Sequence, residues 1–304
     1  MEPVDLLGFG VATVDDIVQV PAFPAAGSKT HITSIQRQGG GQCATALVAA
    51  ARLGLRCRYA GVLGGNELSD FVRQTLAREG IDIVERHTHP EAMPCYSMVV
   101  VDRSTGERTI LSYLQGMVAP DDIGEGIISA GRCLFVDQHF PAASLEACRI
   151  ARRLGIPIVA DLERVENEAV REILRLAGHL ILPLRVAREV TGEREAERAA
   201  AALWLPGRAC AAATDGARGC WYATGPAGNE VRHQPVFPVK AIDTTGCGDV
   251  FHGAYAAGLM GGLPPEQAVR FASAAAALKA CRPGGQAGCP NRATVERLLS
   301  ESTA

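Results

Sequence analysis

Residues 241–258 read AIDTTGCGDVFHGAYAAG. Within Asp243-Thr244-Thr245-Gly246-Cys247-Gly248-Asp249, turn-forming residues and an acid stand directly before a run of small apolar side chains. Gly246 and Gly248 permit the backbone angles and close approach that let successive N–H groups converge on an anion. The helix that follows directs its positive end at the same point. Gly246, Cys247 and Gly248 are therefore candidates for an anion hole. Asp249, in the first turn, can be a capping acid. It can equally be a carboxylate that takes a proton from a hydroxyl while the hole holds developing negative charge. These seven residues leave both readings open. Gly253 with Ala257, and Ala254 with Gly258, form a small-residue stripe at helical spacing that lets another backbone pack closely. His252 reads as a packing or supporting residue.

Apolar runs at 5–11, 58–63, 133–138, 156–161, 179–183 and 210–214 suit strands buried on both faces. Helical patterns lie between them at 45–54, 66–80, 144–155 and 195–204, and the first three close on a glycine. This alternation predicts an α/β fold with a mostly parallel central sheet covered on both faces. Residues 29–38 and 95–113 alternate instead and read as antiparallel strands, the second pair joined by the turn RSTGE. They suit a small β-sheet lid that covers a cleft or pairs with a second copy of itself. Past residue 240 the chain turns helical, and no repeat or linker divides it. The expectation is one domain over residues 1–304, with a lid from about 12–38 and 95–114.

The 304 residues carry a formal charge of −3 and are 47% apolar, without the basic excess that favours nucleic acid as a partner. No secretion signal is legible, and no window approaches about 18 uninterrupted apolar residues, so no membrane partner is expected and a cytoplasmic location is. The ten cysteines are far apart, with no CxxC, and read as reduced, buried small side chains. His87 and His89, among Thr, Pro and Glu, read as a solvated loop pair rather than a metal site. In QGGGQCATALVAAARLG (38–54), Gly39, Gly41 and Ala44 fit the spacing of a dinucleotide fingerprint. The polar run before it and the lack of a strand-end acid about 20 residues on exclude that reading. A glycine triplet opening a helix also lets a polyhydroxylated ligand lie against backbone amides. No GxxxxGK[ST] occurs, since none of Lys29, Lys240 and Lys279 follows a glycine.

Taken together, DTTGCGDVFHGAYAAGL, GGGQCATALVAAARLG and GVLGGNELSDFVRQTLAREGID resemble, in order and spacing over nearly the whole chain, the signatures of the ribokinase-like (PfkB-type) carbohydrate kinases. The resemblance implies a three-layer α/β/α fold and ATP-dependent transfer of the γ-phosphate to a hydroxyl of a ketose or related sugar. It makes Asp249 the general base and the amides of Gly246, Cys247 and Gly248 the hole for the transferred phosphate. Cys247 stands where the family has alanine. Sugar contacts fall on Asp15, Lys29, Gly40, Gly41 and Thr45, the last in place of the family's asparagine. ATP contacts fall on Thr214, Asp215 and Gly216, with Gly219 and Ala277. The family's NxxE segment, which organises Mg²⁺, falls at 183–186 and reads PLRV here, leaving Asp161 and Glu163 as candidate Mg²⁺ ligands. Asp243, Thr245 and CRPGG (281–285) resemble the family's monovalent-cation loop, which implies K⁺. A homodimer through the lid is also implied.

Within the family the likeness is nearest to the sulfofructose kinase subgroup, through DTTGCGDVFHGA, GGGQCATA and VRFASAAAALKACRPGGQAG. The asparagine and arginine that this subgroup turns toward its anionic substrate appear here as Ser112 and His139. Without the guanidinium a sulfonate lacks a bidentate partner, so a neutral sugar is preferred. Two other readings stand beside it. A nucleoside kinase would have aromatic lining near the lid, which offers only Tyr96 and Tyr113. A non-catalytic sugar-binding regulatory protein is suggested by PLRV.

Overall fold

The computed structural model describes residues 1–84, 87–105, 107–121, 123–225 and 230–302. In chain order its strands are β1 (Val4–Phe9), β2 (Thr13–Val20), β3 (Ser34–Gly40), β4 (Cys57–Tyr59), β5 (Asp82–Ile83), β6 (Cys95–Asp102) and β7 (Arg108–Tyr113), followed by β8 (Gly131–Asp137), β9 (Ile158–Asp161), β10 (His179–Pro183), β11 (Cys210–Thr214), β12 (Cys220–Thr224) and β13 (Val231–Gln234). The helices are α1 (Gln42–Arg52), α2 (Glu67–Arg78), α3 (Glu125–Ile128), α4 (Pro141–Arg153), α5 (Glu168–Leu176), α6 (Leu184–Thr191), α7 (Ala196–Ala202), α8 (Cys247–Met260), α9 (Pro265–Ala280) and α10 (Arg292–Glu301).

The six apolar runs become neighbours in one sheet of order β13-β12-β11-β10-β9-β8-β1-β4-β5, parallel from β11 through β5. Alternate side chains along each strand feed two separate cores. Leu6, Phe135 and Ile181 pack with α1, α8 and α9 on one face, while Leu7, Leu134, Leu180 and Leu182 pack with α4, α5 and α6 on the other. Because each face is covered by helices, the strands are apolar throughout rather than alternating. The antiparallel strands β12 and β13 extend the sheet beyond the expected runs.

The helix stops at Gly54, Gly80 and Gly155 all take left-handed backbone, with φ of 99°, 68° and 69°. Several boundaries differ from expectation. Helix α1 begins at Gln42 rather than 45, because Gly41 (φ 91°) turns the chain and the Ala44 N–H donates to the Val11 carbonyl. Strand β4 ends at Tyr59 rather than 63, where the chain turns at Gly61 and Gly64 against Tyr59 and the Ala92 backbone. His87 is buried rather than solvated, its Nδ1 2.9 Å from the Ala60 carbonyl, whereas His89 is exposed. All ten cysteines are free, and only Cys247 and Cys281 are not fully buried.

A second sheet of order β3-β2-β6-β7 stands beside the first. Strand β3 starts at Ser34, so residues 29–33 are loop, and β2 is an additional strand between β3 and β6. Strands β6 and β7 form the expected antiparallel pair; part of their connecting turn lies outside the described residues. Register aligns Gln38, Asp15, Ser97 and Ser112 across the four strands, so these four side chains share one face. On the opposite face Arg37 grips Asp16 through two bonds of 2.9 and 2.8 Å, and the Tyr96 hydroxyl donates to Asp16 at 2.9 Å.

Candidate active site

The parallel strands end at their carboxyl edge in a crevice, where ligands of such sheets bind. Helix α8 opens onto that edge. Its N-cap, Gly246, adopts φ 75° and ψ 6°, left-handed backbone that an L side chain rarely takes. A Cβ on Gly246 would meet the Gly285 Cα at 3.1 Å and the Thr45 Cγ2 at 3.5 Å. The turn from Thr244 to Gly248 is thus pressed between the 284–285 loop and the start of α1. The buried body of α8 follows the small-residue stripe, because a Cβ on Gly253 would stand 2.1 Å from the Ala46 carbonyl oxygen. The crossing of α8 with α1 brings the two glycine-rich helix starts together.

Asp249 stands half-buried at this mouth. Its pKa is pushed up to about 8 by burial first, then by the nearby carboxylates of Asp161 and Glu163, with His252 acting in the other direction. Asp161, at the end of β9, is buried, and burial together with Glu163 raises it well above the usual carboxylate range. His252 is buried, with Nδ1 2.8 Å from the Gly248 carbonyl, Nε2 3.0 Å from the Ile181 carbonyl, and Asp161 at 3.4 Å. It packs and holds the first turn of α8, as the sequence suggests.

On one side of the Thr244–Gly248 turn lies a cavity of about 420 Å³ lined by Thr214, Gly216, Gly219, Phe237, Val239, Thr244, Cys247, Gly248, Phe251 and Ala277, among others. Of the residues expected at ATP, Thr214, Gly216, Gly219 and Ala277 are there. Asp215 is not, because its carboxylate turns to the Arg218 guanidinium at 2.6 Å. Cys247 donates its thiol to the Ala276 carbonyl at 3.6 Å and its amide to the Thr244 carbonyl at 3.2 Å, which closes the turn at the mouth of α8.

On the other side are α1 and the second sheet. Asp15 accepts from the Thr13 hydroxyl at 3.1 Å, and a Cβ on Gly40 would strike Asp15 Oδ2 at 2.2 Å, so glycine there is what admits the carboxylate. Thr45 is buried in the first turns of α1. Gln286 donates to the Gly40 carbonyl at 3.3 Å. Gln38 Oε1, Gln286 Oε1 and Gln42 Nε2 are buried without a hydrogen-bond partner. Ser112 is exposed on β7, in line with Asp15. Lys29 lies in the exposed β2–β3 loop, and no hydrogen bond or ion pair among the described residues ties it to the cleft.

Two residues here, Asp137 and Gln138, went unread in the sequence. Asp137, fully buried at the end of β8, accepts from the Val11 amide at 2.7 Å and the His139 amide at 2.9 Å, and so fixes the exit of β1. An acid closing an apolar strand, as in CLFVDQ, was the available signal. Gln138 donates to Gln42 at 2.7 Å and accepts from the Glu163 amide at 3.0 Å, joining α1 to the β9 edge. His139 stands beside Asp137 at 3.1 Å; burial opposes its charging, but the Asp137 bond and field outweigh burial and raise its pKa. His139 and Gln138 also line a groove of about 600 Å³ with Arg164.

The PLRV segment sits where β10 passes into α6. Leu184 and Val186 are buried, and Arg185 donates to the Glu163 carbonyl at 2.9 Å. No carboxylate from this segment enters the edge. Among the described residues no ready-made cluster of metal-ligating side chains occurs. Asp161 and Glu163 add to the raised pKa of Asp249, and Glu163 adds to that of Asp161; a divalent cation would relieve that repulsion, so these residues suit Mg²⁺ held mainly through phosphate oxygens. The monovalent-cation loop does not suit K⁺, because the Lys279 ammonium already lies 2.7 Å from the Asp243 carbonyl and 3.2 Å from that of Arg282.

Residues 7–292 match the pfkB family carbohydrate kinase profile. The chain belongs to that family. This kinase is 28% identical to the ribokinase of Haemophilus influenzae over 305 aligned residues, covering 96% of this chain and 97% of the relative. It is 29% identical to the ribokinase of Bacillus subtilis, covering 96% and 98% of the two chains. The Arabidopsis thaliana ribokinase solved with ribose and ATP superposes on it with a TM-score of 0.85 at 22% identity, over 98% of this chain and 99% of the other. It is therefore an enzyme that phosphorylates a hydroxyl group of a sugar, built on the ribokinase-like fold, and the regulatory reading falls away. Among the described residues no helix is long and apolar enough to cross a membrane.

Proposed function

We propose that this kinase transfers the γ-phosphate of ATP to a hydroxyl of a neutral sugar, a pentose or ketose, with Asp249 as general base. The observation that carries the reading is the placement of Asp249 behind the left-handed Gly246, between a nucleotide-sized cavity and the polar pocket at Asp15 and Gly40. The amides of Gly246 and Gly248 hold the transferred phosphoryl oxygens, joined by that of Cys247 once it releases the Thr244 carbonyl, and Asp249 accepts the hydroxyl proton. Chemistry of this kind depends on positioning and charge stabilisation more than on covalent help. Thr214, Gly216, Gly219 and Ala277 form the nucleotide wall. Mg²⁺, when bound, neutralises phosphate charge, and Asp161 and Glu163 are the carboxylates nearest to hold it. Asp15, Gly40, Gly41, Thr45, Ser112 and His139 meet the sugar, and the unpartnered amide atoms of Gln38, Gln42 and Gln286 supply further donors and acceptors for hydroxyls. The relatives named ribokinase favour a pentose.

A nucleoside acceptor lacks support, because register places Tyr96 and Tyr113 on the face opposite Asp15. An anionic sugar such as sulfofructose is favoured by one observation, Arg164 beside His139 in the larger groove. Exposed Ile35, Leu111 and Leu114 on the second sheet and its exit suit a homodimer there. A cytoplasmic location is consistent with a metabolic substrate.

The test is ADP release with ATP and Mg²⁺ across ribose, fructose, sulfofructose and nucleosides, beside Asp249→Asn. Turnover with a neutral sugar, lowered about 10²–10⁴-fold in Asp249→Asn at unchanged KM, is expected. Preference for sulfofructose would replace the neutral sugar, and full turnover in Asp249→Asn would remove its role as base.

A further inference from the structure

Lys279 is completely buried near the end of α9, and its ammonium is surrounded by oxygens from two loops. It donates to the Asp243 carbonyl at 2.7 Å and the Arg282 carbonyl at 3.2 Å, and the Asp243 Oδ2 lies 3.9 Å away. The same Asp243 carboxylate accepts from the Thr245 amide and the Gly284 amide, each at 2.8 Å. Burial opposes the charge on Asp243, but those bonds and the Lys279 charge outweigh it and hold its pKa below the ordinary value. Space is made for the lysine stem: a Cβ on Gly288 would stand 2.7 Å from Lys279 Cδ and 3.0 Å from Cε. A buried charge survives only when paired and hydrogen-bonded, and here one positive charge meets one carboxylate and two carbonyls.

We propose that the Lys279 ammonium is a built-in monovalent cation. It has the charge of K⁺ and nearly its size, and it sits among oxygens of the two segments, 243–245 and 281–285, that resemble a monovalent-cation loop. It ties the Asp243–Gly246 turn to the Arg282–Gly285 turn, whose Gly285 Cα backs the Gly246 position of the phosphate cradle. A cation captured from solution must be bound at each encounter, whereas a tethered one is always present. Lys279 is a positioning residue acting through the cradle, and the kinase works without K⁺. The inference rests on reading Gly246–Asp249 as that cradle.

The test compares wild type, Lys279→Ala, which clears the ammonium position, and Lys279→Met, which keeps the stem without the charge. Each is prepared in choline chloride and titrated with KCl or NH₄Cl at constant ionic strength, reading both ADP release and melting temperature. Wild-type rate and melting temperature are expected to be flat. Lys279→Ala is expected to lose about tenfold or more in rate, as when a preorganised donor is removed from a charged site. KCl and NH₄Cl, but not choline, are expected to return about threefold or more of that loss and to raise the melting temperature of Lys279→Ala alone, by binding the folded state. Lys279→Met is expected to lose rate without recovering it. Stimulation of wild type by K⁺ overturns the proposal, as does a folded Lys279→Ala indifferent to both cations. If the substitutions abolish folding, flat wild-type behaviour still supports it and K⁺ stimulation still sinks it. The melting arm needs no acceptor, so failure to find a sugar substrate would count against the proposed function and not against the lysine.

Discussion

At the mouth of α8, left-handed Gly246 precedes a first turn that carries an acid, Asp249. At the mouth of α1, the left-handed residue is Gly41, and the first turn has no acid but places Gln42 and Thr45 toward the cleft. Both starts use a glycine that admits no Cβ without displacing neighbours, yet the polar groups they offer differ in kind. Helix α8 offers backbone N–H groups, so the side chain at Cys247 can vary. Helix α1 offers a floor of glycines on which side chains from elsewhere are arranged, namely Asp15 on β2, Gln38 on β3, Gln138 past β8 and Gln286 after α9. A phosphate has one shape and is met by backbone; a sugar is distinguished by its hydroxyls and needs side chains.

Gly246→Ala would break the backbone side of this comparison. The residue needs positive φ, and the nearest obstacle to its Cβ is the Gly285 Cα, which cannot rotate away. Steady-state kinetics should show kcat lowered about 10²-fold or more, as for loss of an oxyanion-hole donor, with the sugar KM little changed. Near-normal kcat would mean that the turn does not hold the phosphoryl group.

The charge asymmetry can be read by pH. Asp249 must be ionised to accept a proton, and its pKa is raised to about 8. In a pH–rate profile at fixed free Mg²⁺, kcat/KM for the sugar should therefore fall about tenfold per unit below that value. A profile flat from pH 6 to 9 would show that the carboxylate is ionised throughout.

Gly40→Ala probes the other mouth. Its Cβ would meet Asp15 Oδ2 and the Thr13 hydroxyl, both ends of side chains that can move. The fold should survive, the sugar KM should rise about tenfold through the displaced carboxylate, and the KM for ATP should hold. Equal changes in both KM values would place Gly40 outside the sugar pocket.

The same contrast governs what could be read from the sequence. The parallel sheet was legible because strands buried on both faces leave continuous apolar runs. The turned mouth of α8 was legible because it lies in backbone freedom, written as Gly246 and Gly248 before a helix. Strands β12 and β13 were not, since Trp221 and His233 stack at 4.3 Å across a pair without a strong apolar period. Asp137, Gln138 and Lys279 were passed over because each acts on chain far away: Val11 for Asp137, Gln42 for Gln138, Asp243 for Lys279. Long-range partners leave no local period or spacing, whereas Asp215 has a local partner in Arg218.

The smallest expected effect concerns stability. Folding raises the pKa of Asp249 from 3.8 to about 8, so the folded state disfavours its charge. A group shifted this way contributes stability that is fully present below the unfolded value and is lost as pH rises through the folded one. The carboxylate is not needed to keep α8 capped, because Gly246 and not Asp249 is the N-cap, so a neutral amide of the same shape can take its place. Asp249→Asn should thus melt higher than wild type at pH 8, by about 2–4 °C for each kcal/mol relieved, with the gap closing near pH 4. Its partial exposure screens some of the gain. A lower melting temperature at pH 8 would show that Asp249 is held by favourable contacts and is there for structure, whereas a higher one in an inactive variant shows an acid kept at the helix mouth against the interest of the fold.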